Sequence, residues 1–177
     1  MNFRLTKYDP RFRHENGCYM SDEWTSVSDI GRAFNGVILT AAEYMRIESA
    51  YVAAMMSFCA ACNLDGMVID SLEMNEPDWR KMDAAQIPGM VSIDREHDIS
   101  DGLFVSTASL GSVIRSVMRE EIWCRLSGAF ESYIHFGYDY YSYLGSAVLT
   151  DGSFMQDPLL FLESFESPYE KEPHSLS

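Results

Sequence analysis

The stretch Ser109–Leu144, SLGSVIRSVMREEIWCRLSGAFESYIHFGYDYYSYL, changes its hydrophobic period partway along, and that change decides the fold class. In its first half Leu110, Val113, Ile114, Val117, Met118, Ile122 and Leu126 recur at spacings of three and four, which predicts a helix over about 109–126. Glu121 and Arg125, four apart with the acid first, fit a helical ion pair, and Gly128 fits the residue after the helix. From Ala129 the composition turns to strand formers. Phe130, Ile134 and Phe136 alternate with Glu131, Tyr133 and His135, a period of two. Gly137 then interrupts before Tyr138–Tyr143, which predicts either one bent strand or a tight hairpin. Helix followed by adjacent strands excludes an all-helical bundle and gives an α+β class.

Upstream, Thr40 with Glu43 three positions later reads as a capping box opening a helix over about 41–62. Tyr44, Ile47, Tyr51, Met55, Phe58 and Cys62 form its apolar stripe, and its last two turns carry no charge. Residues 67–73 alternate as a strand. Residues 1–36 carry turn signals at Asp9-Pro10, Asn16-Gly17 and Asn35-Gly36 and read as mostly irregular. Residues 74–101, broken by Pro77, Pro88 and Gly89, read as a long acidic connection, with a short turn near Trp79–Ala85. Phe154–Phe165 reads as a last strand or short helix, and 166–177 as a disordered tail rich in Ser, Pro and Glu. The expectation is one domain over 1–165: an antiparallel sheet packed with two main helices and a long acidic connection between them.

The 177 residues carry 27 acids against 13 Lys and Arg, a formal charge of −14, with 47% hydrophobic residues. So many apolar residues exclude a disordered acidic chain. The charge argues against nucleic acid and anionic membrane as partners and favours a basic one. It is concentrated. Residues 65–101 hold 10 acids and 3 bases, and 151–177 hold 6 and 1. The first segment reads either as a solvated face or as a docking surface, whose clustered charge would speed association with a basic protein. Its candidate contacts are Asp70, Glu73, Glu76, Asp78, Asp94, Glu96, Asp98 and Asp101. Tyr138, Tyr140, Tyr141 and Tyr143 join them, because strand alternation would send tyrosines to both faces and tyrosine suits interfaces.

Chemistry-bearing motifs are sparse. Cys59-Ala-Ala-Cys62 falls at the C-terminal end of a helix, where the partial charge disfavours a thiolate, so core packing is the stronger reading than redox or zinc. Asp94, Glu96, His97, Asp98 and Asp101 lack the spacing of a calcium loop. His135 with Glu131 and Asp139 contains the parts of an acid/base pair for a small hydrolase or metal-dependent enzyme, provided that Gly137 leaves the register intact. No phosphate loop, nucleophile elbow or His-Glu-x-x-His occurs, so the expectation is a protein that is not an enzyme and takes no cofactor or metal. Met1–His14 lacks the apolar run of a secretory leader, and a cytoplasmic location with reduced thiols is expected. A decoy that mimics nucleic acid would need acid along an extended face, and the acid-poor stretch 102–150 argues against it.

Tyr8-Asp9-Pro10, Asp22-Glu23-Trp24-Thr25-Ser26 with Ser28-Asp29-Ile30-Gly31, Arg119–Cys124 and Ile134–Tyr141 together resemble motifs of immunity proteins from bacterial contact-dependent growth inhibition and related polymorphic toxin systems. The resemblance covers roughly residues 8–145. It implies an inhibitor that binds a cognate toxin C-terminal domain, often a nuclease, by stoichiometric association. It also implies that the shared motifs hold the scaffold while variable surface selects the toxin, which leaves the acidic stretch 65–101 as the contact.

Overall fold

Helix α1 (Ala41–Ala61) begins and ends where local chemistry directs it. The Thr40 side chain accepts the Glu43 N–H at 3.2 Å, a cap that stabilises by about 1 kcal/mol. The reciprocal half of the expected capping box is absent, because the Glu43 carboxylate binds Arg46 instead. At the other end Asn63 takes a left-handed φ of 54°, and the Leu64 N–H reaches the Cys59 carbonyl, a Schellman stop. A computed structural model describes residues 1–15, 18–74 and 99–168.

The second helix is shorter than the periodicity predicts. α2 spans Thr107–Met118, and Glu120, at φ 59°, serves as its left-handed stop while the Glu121 N–H bonds the Ser116 carbonyl at 3.0 Å. Gly128 therefore ends a strand, not a helix, and Glu121 and Arg125 form no helical pair. The reason lies in residues 122–126. Ile122, Cys124 and Leu126 alternate with Trp123 and Arg125, so one face of a strand buries them as well as a helical stripe would.

Seven strands make the sheet: β1 (Asn2–Thr6), β4 (Gly66–Met74), β5 (Phe104–Ser106), β6 (Ile122–Gly128), β7 (Ser132–Phe136), β8 (Ser142–Gly145) and β9 (Phe161–Ser164). They run antiparallel in the order β5-β4-β6-β7-β8-β1-β9, while β2 (Ala33–Phe34) and β3 (Val37–Ile38) form a separate small hairpin. The architecture is α+β as expected, with β1 found inside a region that read as irregular. Gly137 marks a hairpin, because Asp139 and Tyr140 both take φ near 55–60° and the Tyr141 N–H bonds the Tyr138 carbonyl.

Register gives the sheet two unlike faces. Ile69, Leu126, Ile134, Leu144 and Phe3 are successive cross-strand partners on the inner face, each under 7% exposed. Both helices share the core built on that face, where each large apolar side chain contributes about 1.5–3 kcal/mol. The next row, on the outer face, reads Asp70, Arg125, His135, Tyr143, Arg4 and Glu163. Beside it Tyr133 lies over Gly145 so closely that a Cβ there would sit 2.2 Å from the ring. Gly145→Ala is therefore expected to lose about 1–3 kcal/mol by overpacking. Urea unfolding checks this, and a loss that Tyr133→Ala does not relieve in the same background would contradict it.

Candidate cleft at the β7–β8 turn

One end of the sheet opens into a cleft of about 630 Å³, and three turns shape it. The first is the α2–β6 turn, whose left-handed Glu120 faces the opening. The second is the β7–β8 turn with Tyr138, Asp139 and Tyr140. The third, Thr25–Ser26, is tied down by Asp29, whose carboxylate accepts the Thr25 and Ser26 N–H groups at 2.9 and 3.2 Å. Val117, Met118, Ile122, Phe136 and Tyr140 line the interior, and all are buried. Glu73, Glu120, Asp139, Arg125, Trp123, Tyr138 and Tyr141 also line it, three carboxylates against one guanidinium.

This arrangement is built into the core. The Tyr51 hydroxyl donates to the Tyr140 carbonyl and accepts the Lys7 N–H, joining α1, the segment just after β1 and the turn. Tyr140 donates to the Tyr44 hydroxyl at 3.1 Å, and Tyr44 donates to the Met118 carbonyl at 2.9 Å. Trp24 packs on Tyr140 edge-on at 5.0 Å, and the Tyr8 hydroxyl reaches the Trp24 carbonyl. A non-glycine residue at positive φ costs about 1–2 kcal/mol, and these contacts hold Tyr140 there. Lys7 lies between the Tyr8 and Trp24 rings at 4.1 and 4.0 Å and pairs with Glu23. Burial pushes its amine down to about 8, although Glu23 opposes the change.

The residues proposed as contacts separate sharply. Glu73 reaches the cleft because β4 bulges between Asp70 and Glu73, with Ser71 at φ 56°. Asp101 is exposed but holds that bulge, its carboxylate accepting the Leu72 N–H at 2.7 Å. Asp70 is half-buried on the outer face, in register with Arg125. Glu76, Asp78, Asp94, Glu96, Asp98 and His97, with the turn near Trp79–Ala85, lie outside the described residues. Among these four tyrosines only Tyr138 faces outward, at 85% exposed. Tyr140 is buried in the core and reaches only the interior of the cleft, and Tyr143 is buried on the outer face. Tyr141 lines the cleft and is half-buried against Tyr8 and the Arg4 and Arg13 guanidinium groups. The turn breaks the strand alternation on which the expectation for all four tyrosines rested.

Sequence reasoning missed Glu120, Trp123 and Arg125 as cleft residues because it placed them on a helix. The alternation of Ile122, Cys124 and Leu126 is the signal that would have found them.

The acid/base constellation does not assemble. His135 is in β7, while Glu131 and Asp139 occupy the turns at that strand's opposite ends. Cys59 and Cys62 are buried, as core packing predicts, with Cys59 Sγ 3.9 Å from Met67 Sδ. Burial pushes the Cys59 and Cys124 thiols up to about 12, so both stay protonated at neutral pH. Among the described residues no group of three or more His, Cys, Asp or Glu is placed to hold a metal ion. Nor is any described helix long and apolar enough to cross a membrane.

The outer face carries part of the expected tail. The Phe165 N–H bonds the Asn2 carbonyl, the Arg4 guanidinium lies 4.1 Å over the Phe165 ring, and buried Ser167 hydrogen-bonds His135 Nδ1 at 2.9 Å. The chain therefore stays on the fold past Phe165. Burial, with Arg125 alongside, lowers His135 to about 4, and Asp70 only partly offsets this. The folded imidazole is neutral where the unfolded one, near 6.5, begins to bind protons. Its contribution is complete above about pH 6.5 and is lost as pH falls toward 4. Between pH 7 and pH 5 the expected loss is about 2 kcal/mol, and His135→Gln removes that part of the slope. Equal slopes for both proteins in urea unfolding would contradict the burial of a neutral imidazole.

No family model, curated protein or solved structure matches this chain.

Proposed function

We propose that this chain is an immunity protein that binds a cognate toxin C-terminal domain and blocks its active cleft by stoichiometric inhibition. The observation that carries the reading is the preformed cleft, rimmed by Glu73, Glu120 and Asp139 on a protein of charge −14. A nuclease must hold phosphate, so its active cleft is basic, and a carboxylate rim complements it. The resemblance of the Tyr8, Trp24, Arg119–Cys124 and Ile134–Tyr141 motifs to immunity proteins supports the same reading. Trp24 and Tyr140, both in those motifs, are buried, as scaffold residues would be.

Co-expression with the C-terminal domain encoded by the adjacent reading frame tests it. Cells producing that domain alone should die, and cells also producing this chain should survive at equimolar expression. A toxic neighbour that forms no complex with this chain and kills regardless would overturn the reading.

A further inference from the structure

The cleft's interior and its rim differ in chemistry, and the difference identifies what enters. A basic side chain inserted tip-first would carry its charge onto Val117, Met118, Ile122 and Phe136, away from water and from the carboxylates, at a cost of several kcal/mol. A large apolar side chain fits there instead. Its neighbours in the same segment would then lie at the rim, beside Glu73, Glu120 and Asp139. The volume of about 630 Å³ falls within the range of pockets that take drug-sized ligands, which leaves room for a large side chain together with part of the segment that carries it. Tyr138, 85% exposed beside the opening, offers a rigid aromatic surface to whatever flanks the anchor.

The opening is also preorganised. Glu120 terminates a helix, while Asp139 and Tyr140 form a turn held by the hydroxyls of Tyr44 and Tyr51. Little ordering is therefore needed on this side when a partner binds. We propose that the cleft is the receptor for one large apolar side chain, Phe-like in size, flanked on its own chain by Lys or Arg. This rests on the immunity reading for the partner's identity and deepens it, by stating which chemistry the toxin presents.

Titration of the full chain with acetyl-Lys-Phe-Lys-amide, followed by NMR, tests the recognition without the toxin. The expected result is a saturable shift of the Trp123 indole N–H, which donates to the Phe136 carbonyl, and of the 137–141 amides. Acetyl-Lys-Ala-Lys-amide should bind about fivefold or more weakly, from loss of the apolar anchor. Acetyl-Glu-Phe-Glu-amide should bind more weakly still, and Glu120→Gln with Asp139→Asn should weaken only the lysine peptides. Equal shifts by all three peptides, or shifts that map elsewhere, would overturn the proposal. If that happens while the chain still protects against its toxin, the immunity reading survives and the recognition chemistry falls. If the peptides bind as expected and no toxin is neutralised, the cleft stands and the immunity reading falls.

Discussion

Glu48→Ala is expected to lower the unfolding free energy by about 3–5 kcal/mol. Glu48 lies on α1 and is 2% exposed, and its carboxylate takes a bidentate pair from Arg119 at 2.6 and 2.9 Å. Arg115 lies 3.8 Å away on α2. Arg119, 6% exposed, is the residue on which α2 closes, so the pair ties the first helix to the end of the second. Removing the carboxylate takes the bidentate acceptor away from a buried guanidinium, and the desolvation it no longer offsets sets the size of the loss. Replacing both partners with apolar residues, Glu48→Leu with Arg119→Met, should recover most of it. Chemical denaturation decides: a single variant within 1 kcal/mol of the parent would show that the pair is not buried in solution. If the single variant does not fold, recovery of folding in the double variant carries the same test.

Tyr140→Ala is expected to cost about 3–5 kcal/mol and to remove the shape of the cleft as well. The Tyr140 ring meets Trp24, Tyr44 and Tyr51 at centroid distances of 5.0–6.4 Å, so its loss opens a cavity among three aromatic groups. Tyr140→Phe keeps the ring and loses the hydroxyl that donates to Tyr44, for about 1 kcal/mol. The two variants separate packing from hydrogen bonding. Near-UV circular dichroism should fall with the alanine variant and barely change with phenylalanine. Similar losses in both would mean that the hydroxyl network, rather than the ring, holds the turn.

The first helix was readable almost to the residue, because Thr40 and the apolar stripe from Tyr44 to Cys62 agree with each other. The second was overextended, because an alternating run and a helical stripe share Ile122 and Leu126, and short apolar runs satisfy both periods. Glu120 was the hidden breakpoint. A glycine would have signalled a left-handed stop, while a glutamate in that role gives no compositional sign. β1 was missed for a related reason: Phe3 and Leu5 are too few to establish a period beside the turn-rich residues that follow. For the candidate site, charge pointed toward residues 65–101, and Glu73 does reach the cleft. The rest of that site comes from distant segments, which no local pattern brings together. The tyrosine-rich run was conspicuous in sequence, yet the hairpin sends Tyr140 inward and leaves Tyr138 outside.

On the immunity reading, the carboxylate rim of this cleft docks a basic toxin domain. Its most direct test is the association rate with the cognate toxin domain, measured across ionic strength for the parent and for Glu73→Lys, Glu120→Lys, Asp139→Lys combined. The parent should associate fast at low salt and slow steeply as salt rises. The triple variant should associate about 10–100-fold more slowly at low salt, with a flattened salt dependence. A triple variant that folds normally and keeps both the parent's rate and its salt dependence would show that the toxin docks elsewhere.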